Sequence, residues 1–459
     1  MFPAKTYIDR REALKARFSK GLLLFLGNED SPMNYTDNAY HFRQDSSFLY
    51  YFGIAQPGYA AVIDLDEGTT TVFGNDLTID DIVWTGILPT VAELARQGGV
   101  TRTAPVSELA PRLQKAEGRP VHFLPPYRPE HRLKLFRLLG LHPDEQDAKV
   151  SMDLVKAIID MRVVKSAEEI AELERAVDIT VDMHLAAMRM AKPGVTEAAI
   201  AAKITEIALA AGGTHGYPPI VTVHGETLHN HSQTNTLRSG QMLLVDAGAE
   251  TAMGYTGDLT STCPVDRTFT PRQREIYQIV LKAHLAAVEA CKPDVPFRQV
   301  HLLACRTMAE GLKDLGLMKG DLEAAVEQGA HAMFFQCGVG HMMGLDVHDM
   351  ENLGEVWVGY EGQPKSTQFG LKSLRLARPL QPGFVFTVEP GLYFIPQLMD
   401  RWKAERKFVD YIDYDKLETY RDFSGIRIEE NLLITEDGHR ILGKARPRTI
   451  EEVEATHLG

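Results

Sequence analysis

Apolar segments that end on an acidic residue are the feature that most constrains how this chain can fold. They are Met-Leu-Leu-Val-Asp at 242–246, Phe-Val-Phe-Thr-Val-Glu at 384–389 and Gly-Ile-Arg-Ile-Glu at 425–429. Such short runs predict buried strands. A carboxylate taken out of water without a partner would shift its pKa or destabilise the fold. These acids therefore require a shared positive charge.

Two further residues in glycine- and histidine-rich surroundings extend this group. The candidate ligands are then four carboxylates and one imidazole: Asp246, Asp258, His341, Glu389 and Glu429. Hard oxygen donors with one nitrogen suit Mn²⁺ best, and Zn²⁺ or Co²⁺ also fit. Four negative charges would over-neutralise one divalent ion and balance two. We therefore expect a site for two divalent metal ions.

Composition and charge exclude several other classes of protein. The chain has 459 residues and a net charge of −13, and it contains no basic block that would follow a phosphate backbone, so we expect no nucleic-acid partner. The longest early apolar run, at 22–26, is too short for a signal peptide or a membrane span. The four cysteines form no C-x-x-C pair. A cytoplasmic protein that does not enter a membrane is expected.

The periodicity of the chain predicts two domains of mixed α/β (α+β) class. Short apolar runs alternate with helical stretches such as 91–97 and 130–139 in the first 150 residues, and the pattern is helical over 155–178. Ser166-Ala-Glu-Glu169 is a capping box, so a helix begins there. We place the domains at 1–158 and 159–459.

Several motifs in order along the chain resemble those of the proline-specific pita-bread metallopeptidases. This family contains Xaa-Pro dipeptidase (prolidase) and aminopeptidase P. The segments that carry the resemblance are 41–46, 162–169, 243–248, 257–260, 338–341, 346–349, 387–391 and 425–429. The resemblance implies a creatinase-like α/β domain over 1–158 and a pita-bread catalytic domain over 159–459.

The resemblance also implies a role for each ligand. Asp246 would chelate one metal and His341 the other, Asp258 and Glu429 would bridge the pair, and Glu389 would complete the second metal's shell. A water or hydroxide between the metals would attack the scissile carbonyl group.

Further residues match positions that surround the metals in the family. His348 and His229 match histidines that contact the substrate or the intermediate, and Arg427, with Thr260, matches groups that orient carboxylates. Tyr217 matches an aromatic residue near the proline ring. Trp84 resembles a tryptophan that reaches a neighbouring subunit's site, so a homodimer or homotetramer is expected.

Cys337 departs from the family pattern, which usually has a histidine four residues before the metal-binding histidine. Altered substrate contact or sensitivity to oxidation could follow, and a small buried residue is the simplest interpretation. A non-catalytic relative that binds without cleaving, and a metal-free hydrolase of the creatinase type, remain as alternatives. The complete ligand set argues against both.

The choice of substrate depends on Arg375. A dipeptidase must grip a free α-carboxylate near the metals, and arginine does so through bidentate hydrogen bonds. Segment 371–383 resembles the prolidase version, in which an arginine at the place of Arg375 has this role. We therefore favour cleavage of the Xaa-Pro bond of dipeptides, and removal of the first residue from longer peptides with proline second is the alternative.

Overall fold

The computed structural model describes residues 1–115 and 118–457. The chain divides into two compact units, Met1–Arg162 and Val163–Gly459. Among the described residues, the helices are all too short or too polar to cross a bilayer.

The first unit is built on a mixed sheet with strand order β4-β3-β2-β1-β5. Its strands are β1 (Leu22–Leu26), β2 (Ala60–Asp64), β3 (Thr69–Phe73), β4 (Arg102–Ala104) and β5 (Val121–His122). Its helices are α1 (Ala4–Lys15), α2 (Ser46–Phe52), α3 (Ile79–Thr85), α4 (Val91–Gln97), α5 (Leu109–Gln114), α6 (Pro129–Leu139), α7 (Pro143–Lys149) and α8 (Met152–Arg162), with a 3₁₀ turn at Val106–Glu108. Strand β1 is apolar throughout, and it pairs antiparallel with β2 and parallel with β5. It therefore lies inside the sheet rather than at its edge.

The second unit surrounds small antiparallel sheets with helices. Its helices are α9 (Ala167–Met190), α10 (Glu197–Ala210), α11 (Pro271–Ala290), α12 (Phe297–Asp314), α13 (Leu322–Gln328), α14 (Glu351–Val358), α15 (Pro396–Ala404), α16 (Tyr414–Glu418) and α17 (Ile450–Thr456), with a 3₁₀ turn at Ala330–Met333. Its strands are β6 (Thr214–His215), β7 (Ile220–Thr222), β8 (Met242–Ala247), β9 (Ala249–Glu250), β10 (Leu259–Pro264), β11 (Val385–Val388), β12 (Gly391–Tyr393), β13 (Gly425–Arg427), β14 (Glu430–Ile434) and β15 (His439–Ile441). The sheets have the orders β10-β8-β7, β11-β14-β15, β12-β13 and β6-β9. Helix α9 packs on α10, and α11 packs on α12.

The predicted start of a helix after Ser166 is confirmed. The Ser166 hydroxyl accepts the Glu169 N–H at 3.3 Å, and the Glu169 carboxylate accepts the Ser166 N–H at 3.1 Å. The helical pattern over 155–178 predicted continuous helix. The structure has two helices there instead, because residues 163–166 separate α8 from α9. Here the Lys165 N–H donates to the Gly383 carbonyl at 2.8 Å, which holds the segment outside either helix.

Two of the predicted acids, Glu389 and Glu429, lie at the junction between two sheets. Strands β11 and β14 pair up to Val388 and Glu430, and β12 and β13 pair from Gly391 and Arg427. Glu389 and Glu429 both fall between these pairs, so neither side chain belongs to a regular strand face. Strand β13 therefore ends earlier than the sequence predicted, at Arg427 rather than at the acid. The change of sheet brings two acids from distant parts of the chain to one junction.

The other candidate ligands lie on neighbouring strands. Asp246 pairs with Thr260 across β8 and β10, and Asp258 directly precedes β10. The His341 carbonyl accepts the Thr387 N–H at 2.9 Å, so His341 lies beside β11. Backbone pairing thus positions all the candidate ligands.

Candidate metal centre

A cavity of about 250 Å³ in the second unit brings the candidate ligands together. All the site residues predicted from the sequence line it except Trp84 and Thr260: Tyr217, His229, Asp246, Asp258, His341, His348, Arg375, Glu389, Arg427 and Glu429. Trp84 lies in the first unit, on α3, and is 86% exposed.

The centre of the cavity is a buried cluster of donor atoms. One ligand atom from each of Asp258, His341 and Glu429 lies within 4.8 Å of the others. The Nε2 atom of His341 is 3.3 Å from an Asp258 oxygen and 3.5 Å from a Glu389 oxygen. Its Nδ1 atom lies 3.1 Å from the Met342 carbonyl oxygen, which is only an acceptor. The proton therefore belongs on Nδ1, and the Nε2 lone pair faces two carboxylates, an arrangement that a cation would stabilise.

Burial and mutual repulsion disfavour the charged forms of three of these carboxylates, even with Arg427 beside them. Burial and the nearby Asp246 charge raise the pKa of Asp258 to about 7. Burial also raises the pKa of Glu389, and burial with the Asp258 charge raises the pKa of Glu429 well above its usual value. Divalent cations would remove this repulsion, and an oxygen-rich set with one imidazole suits them. The residues present therefore fit a metal centre.

Hydrogen bonds from buried neighbours fix the orientation of the carboxylates. The Thr260 hydroxyl donates to Glu429 at 2.6 Å, and Arg427 Nε donates to that hydroxyl at 2.9 Å. Arg427 also donates to the Asp246 carboxylate and, at 2.9 Å, to the Tyr393 hydroxyl. Arg427 is 3% exposed, so its charge acts in a medium of low polarity. It thereby connects Asp246 on β8 with Glu429 at the junction between two other sheets.

Tyr217 contacts the carboxylates directly, which sequence reasoning did not predict. Its hydroxyl is 2.7 Å from Asp246 and also hydrogen-bonds Asp258. Burial and the charge of Asp246 raise the pKa of Tyr217 well above its usual value. A single phenolic proton cannot serve two charged carboxylates at once, which again favours a cation in this cluster.

His348 and Arg375 form a second polar group at the cavity. The Nδ1 atom of His348 is 2.5 Å from a Glu351 oxygen, and the hydrogen bond lowers the pKa of Glu351 to about 2. Arg375 Nε lies 3.3 Å from Glu355 and 3.5 Å from Glu351. The His348 ring centroid is 4.2 Å from that of His341. This polar group therefore adjoins the metal ligands.

Two residues whose roles the sequence does not assign, His231 and Cys337, also line the cavity. His231, to which no family motif assigns a role, lies there beside His229, with ring centroids 6.5 Å apart. Cys337 lines the cavity too, and burial raises the pKa of its thiol to about 12. The thiol is therefore protonated near pH 7 and does not behave as a reactive thiolate.

Two buried ion pairs lie close to the site, and the sequence does not indicate which residues form each pair. Lys165 and Asp349 pair at 2.8 Å, and each side chain is 1% exposed. Arg446 pairs with Glu430 at 3.0 Å and also donates to the Glu429 carbonyl oxygen. Both pairs join residues that are distant in sequence, so spacing alone could not have revealed them.

Comparison with known proteins identifies the family. The profile of metallopeptidase family M24 matches residues 171–436, and that of the aminopeptidase P N-terminal domain matches residues 7–122. Human Xaa-Pro dipeptidase is 31% identical over 95% of this chain and 89% of its own length. A probable Xaa-Pro aminopeptidase of Emericella nidulans is 30% identical over 99% of this chain and 97% of its own.

A solved structure agrees with the profiles. Zinc-substituted Escherichia coli aminopeptidase P in complex with product is 30% identical to this chain, with a TM-score of 0.83. The match covers all of this chain and 98% of that one. The chain therefore belongs to metallopeptidase family M24 and has the pita-bread fold, preceded by an aminopeptidase P-type N-terminal domain.

Proposed function

We propose that this protein is a metal-dependent Xaa-Pro dipeptidase. The substrates are small peptides with proline in second position, and the scissile bond precedes that proline. We further propose that residues 1–158 form the creatinase-like domain and that residues 159–459 form the catalytic domain. Relatives named Xaa-Pro dipeptidase and Xaa-Pro aminopeptidase, each about 30% identical over nearly the whole chain, support the broader assignment.

Two divalent ions, Mn²⁺ first and Zn²⁺ or Co²⁺ as alternatives, are proposed to occupy the carboxylate cluster. Asp246, Asp258, His341, Glu389 and Glu429 would hold them. When bound, such ions lower the pKa of water and stabilise negative charge on the oxygen of an attacked carbonyl group. The single imidazole among four carboxylates supports Mn²⁺, which prefers oxygen donors.

The protein's own groups orient these ligands and a substrate. Arg427 and the Thr260 hydroxyl hold Asp246 and Glu429, so the carboxylates need not reorganise on binding. Glu351 fixes one nitrogen of the His348 ring, which leaves the other nitrogen for a substrate group. His229 is exposed and lines the same cavity, where it can contact the peptide. Tyr217 presents its ring to the cavity near the ligands and can pack against proline.

The observation that carries the dipeptidase assignment is the position of Arg375. Arg375 lines the same cavity as the ligands, and its Nε lies 3.3 and 3.5 Å from Glu355 and Glu351 without a hydrogen bond to either. A dipeptide bound with its scissile carbonyl at the ligands places its free carboxylate within one residue of them. Arginine is suited to bind that carboxylate by two parallel hydrogen bonds.

The test is hydrolysis of a matched pair, an Xaa-Pro dipeptide and the Xaa-Pro-Xaa tripeptide with the same first residue. Both are assayed in Mn²⁺ and in excess chelator. Preference for the dipeptide, lost in chelator, is expected. Preference for the tripeptide would contradict the dipeptidase assignment, and equal activity in chelator would contradict the role of metal.

Aminopeptidase P activity is the second candidate. Several solved structures that match the whole chain are of Escherichia coli aminopeptidase P, one of them in complex with substrate. The same ligands would serve both activities, so the two candidates differ only in what lies beyond the proline. The tripeptide arm of the assay distinguishes them.

We also propose that the protein is a homodimer or homotetramer in which Trp84 contacts a second copy. Trp84, Val83 and Ile79 on α3 are 86%, 73% and 77% exposed, and Ile87 just beyond is 86% exposed. Several large apolar side chains exposed on one short helix and just beyond it favour an interaction surface. Sedimentation should give a mass above one chain, and Trp84→Ser should weaken the association. A monomeric wild-type protein would contradict this proposal.

A further inference from the structure

A second group of metal-binding side chains lies in the same unit, apart from the cavity. One donor atom from each of His301, Cys305 and His331 lies within 4.8 Å of the others. The three residues are 0%, 0% and 4% exposed. They are absent from the lining of the carboxylate cavity. The dipeptidase proposal gives them no role.

Helix geometry and one turn bring these donors together. His301 and Cys305 are four residues apart on α12, so both lie on one face of that helix. His331 belongs to the 3₁₀ turn Ala330–Met333, which follows α13. The His301 ring also packs on Phe335, with centroids 5.5 Å apart. The three side chains are therefore shielded from water.

Three of the four ring nitrogens in this group lack a hydrogen bond of normal geometry within the described part of the chain. They are Nδ1 of His301 and both ring nitrogens of His331, although the Val326 backbone lies close enough to the His331 ring to act on its charge. The remaining His301 nitrogen, Nε2, has only the Cys305 thiol, at 3.5 Å. Buried polar groups are nearly always satisfied, so a set of unsatisfied nitrogens around one point requires an explanation.

The chemical state of these groups suits a metal ion. Burial lowers the pKa of His301 to about 3 and that of His331 to about 4, so both rings are neutral and have a free lone pair near pH 7. Burial raises the pKa of the Cys305 thiol, whose proton a bound metal ion would displace. Bonds of 2.0–2.3 Å in a tetrahedral site separate ligand atoms by about 3.3–3.8 Å. The 3.5 Å between Cys305 Sγ and His301 Nε2 already matches this separation.

We propose that His301, Cys305 and His331 form a binding site for one ion of the Zn²⁺ class, distinct from the carboxylate centre. Two imidazoles and a thiolate are the donors that Zn²⁺ and Co²⁺ accept, whereas Mn²⁺ prefers oxygen. The two centres therefore differ in the metal that they prefer, although both accept Co²⁺. The ion tethers α12 to the turn that leads into residues 334–341, and the last of these is a candidate ligand of the carboxylate centre.

The test is titration of the full-length, metal-stripped protein with Co²⁺, followed by optical absorption and equilibrium dialysis. A thiolate bound to Co²⁺ gives a charge-transfer band in the near ultraviolet, which carboxylate and imidazole ligands do not give. The wild-type protein should develop this band. Cys305→Ser should lose the band and bind one Co²⁺ fewer per chain.

Two matched variants separate this site from the carboxylate centre. Cys337→Ser removes the thiol that lines the other cavity, and Asp258→Asn disrupts the carboxylate centre itself. Both should keep the band. Because the band is independent of peptidase activity, it can appear even where the dipeptidase proposal fails.

Several results would overturn the inference. They are no band in folded wild-type protein at saturating Co²⁺, a band that persists in Cys305→Ser, and a band lost in Cys337→Ser but kept in Cys305→Ser. If Cys305→Ser does not fold, as judged by circular dichroism, His331→Asn provides the same test. It removes one ligand and leaves every thiol in place, so the band should be lost or should need at least tenfold more Co²⁺.

Discussion

The two groups of potential metal ligands in the second unit differ in how they exist without metal. The carboxylate cluster around Asp258 and Glu429 is buried and electrostatically strained, because like charges face one another. The group of His301, Cys305 and His331 is equally buried but neutral, because burial keeps protons off the imidazoles and on the thiol. One group needs cations to relieve repulsion, whereas the other needs only partners for its lone pairs.

The difference in charge between the carboxylate cluster and the histidine–cysteine group indicates which metal chemistry each can support. A cluster with excess negative charge holds two small, hard cations close together, which is the arrangement that hydrolysis requires. Neutral donors closed off from water bind one softer ion and leave little room for a substrate, as structural sites do. The same depth of burial thus serves two kinds of site, and the charge of the donors distinguishes them.

The largest expected effect comes from removing one charge of the carboxylate cluster. Asp258→Asn keeps the size of the side chain but replaces an anionic ligand. Loss of several kcal/mol of transition-state stabilisation should lower kcat/KM for an Xaa-Pro dipeptide by at least about 10³-fold. Metal content should fall in parallel. Asp415→Asn, at a carboxylate that is 98% exposed, is the matched control and should leave kcat/KM unchanged.

The carboxylate cluster should also make the metal-free protein less stable as the pH rises from 4 to 7. The pKa of Asp258 is raised from 3.8 to about 7 in the folded state, so the folded state retains a proton that the unfolded chain loses. Stability is therefore greatest below pH 4 for this group and falls as pH rises towards 7, by on the order of 4 kcal/mol. Urea unfolding in chelator across this range would measure the fall.

Two comparisons would show whether the pH dependence arises from the carboxylate cluster. Asp258→Asn should flatten the pH dependence, and saturating Mn²⁺ should do so in the wild-type protein by neutralising the cluster. A metal-free Asp258→Asn variant with the same pH dependence as the metal-free wild-type protein would show that the Asp258 charge does not destabilise the folded state.

The histidine group should respond to pH in the opposite direction. The pKa of His331 is lowered from 6.5 to about 4 in the folded state, so the unfolded chain binds a proton first as pH falls. Stability is lost between pH 6.5 and 4, by on the order of 3 kcal/mol. In chelator, His331→Leu should lose less stability over this range than the wild-type protein. The exposed His41→Leu should show no such difference.

The two groups were also unequal in how far the sequence predicted them. Asp246, Glu389 and Glu429 end apolar runs, which is a local signal, and the structure brings all of them to one cavity. The junction between β11–β14 and β12–β13 could not be predicted, because it depends on strand register between distant segments. Ser166 and its helix start were predictable for the same reason as the acids, since a capping box spans four residues.

The group of His301, Cys305 and His331 could not be predicted from the sequence. His301 and Cys305 have helical spacing that is visible in the sequence, but that spacing is common in amphipathic helices. Only the fold shows that His331 reaches them and that their nitrogens lack partners. The Lys165–Asp349 pair escaped prediction for the same reason. Short sequence motifs could therefore be predicted, whereas buried polar atoms that lack hydrogen bonds could be found only in the structure.

The smallest expected effect concerns the cation that the carboxylate cavity offers to a substrate, for which the histidine group has no counterpart. Arg375→Lys keeps the charge but loses the planar pair of donors. A charge-assisted hydrogen bond contributes about 1.5–3 kcal/mol, so kcat/KM for the dipeptide should fall by about 10–100-fold. Cleavage of the matched tripeptide should change by less than about threefold, because its carboxylate lies one residue further away.

Arg378→Lys is the control for that experiment, because it lies three residues along the same segment. Arg378 donates to Glu361 at 2.5 Å and does not line the carboxylate cavity. A fall confined to the dipeptide in Arg375→Lys alone would assign the carboxylate to Arg375. An equal fall for dipeptide and tripeptide would instead mean that Arg375 acts by positioning Glu351 and, through it, His348. In that case the chain would distinguish its substrates without an arginine clamp, and the aminopeptidase alternative would gain the stronger support.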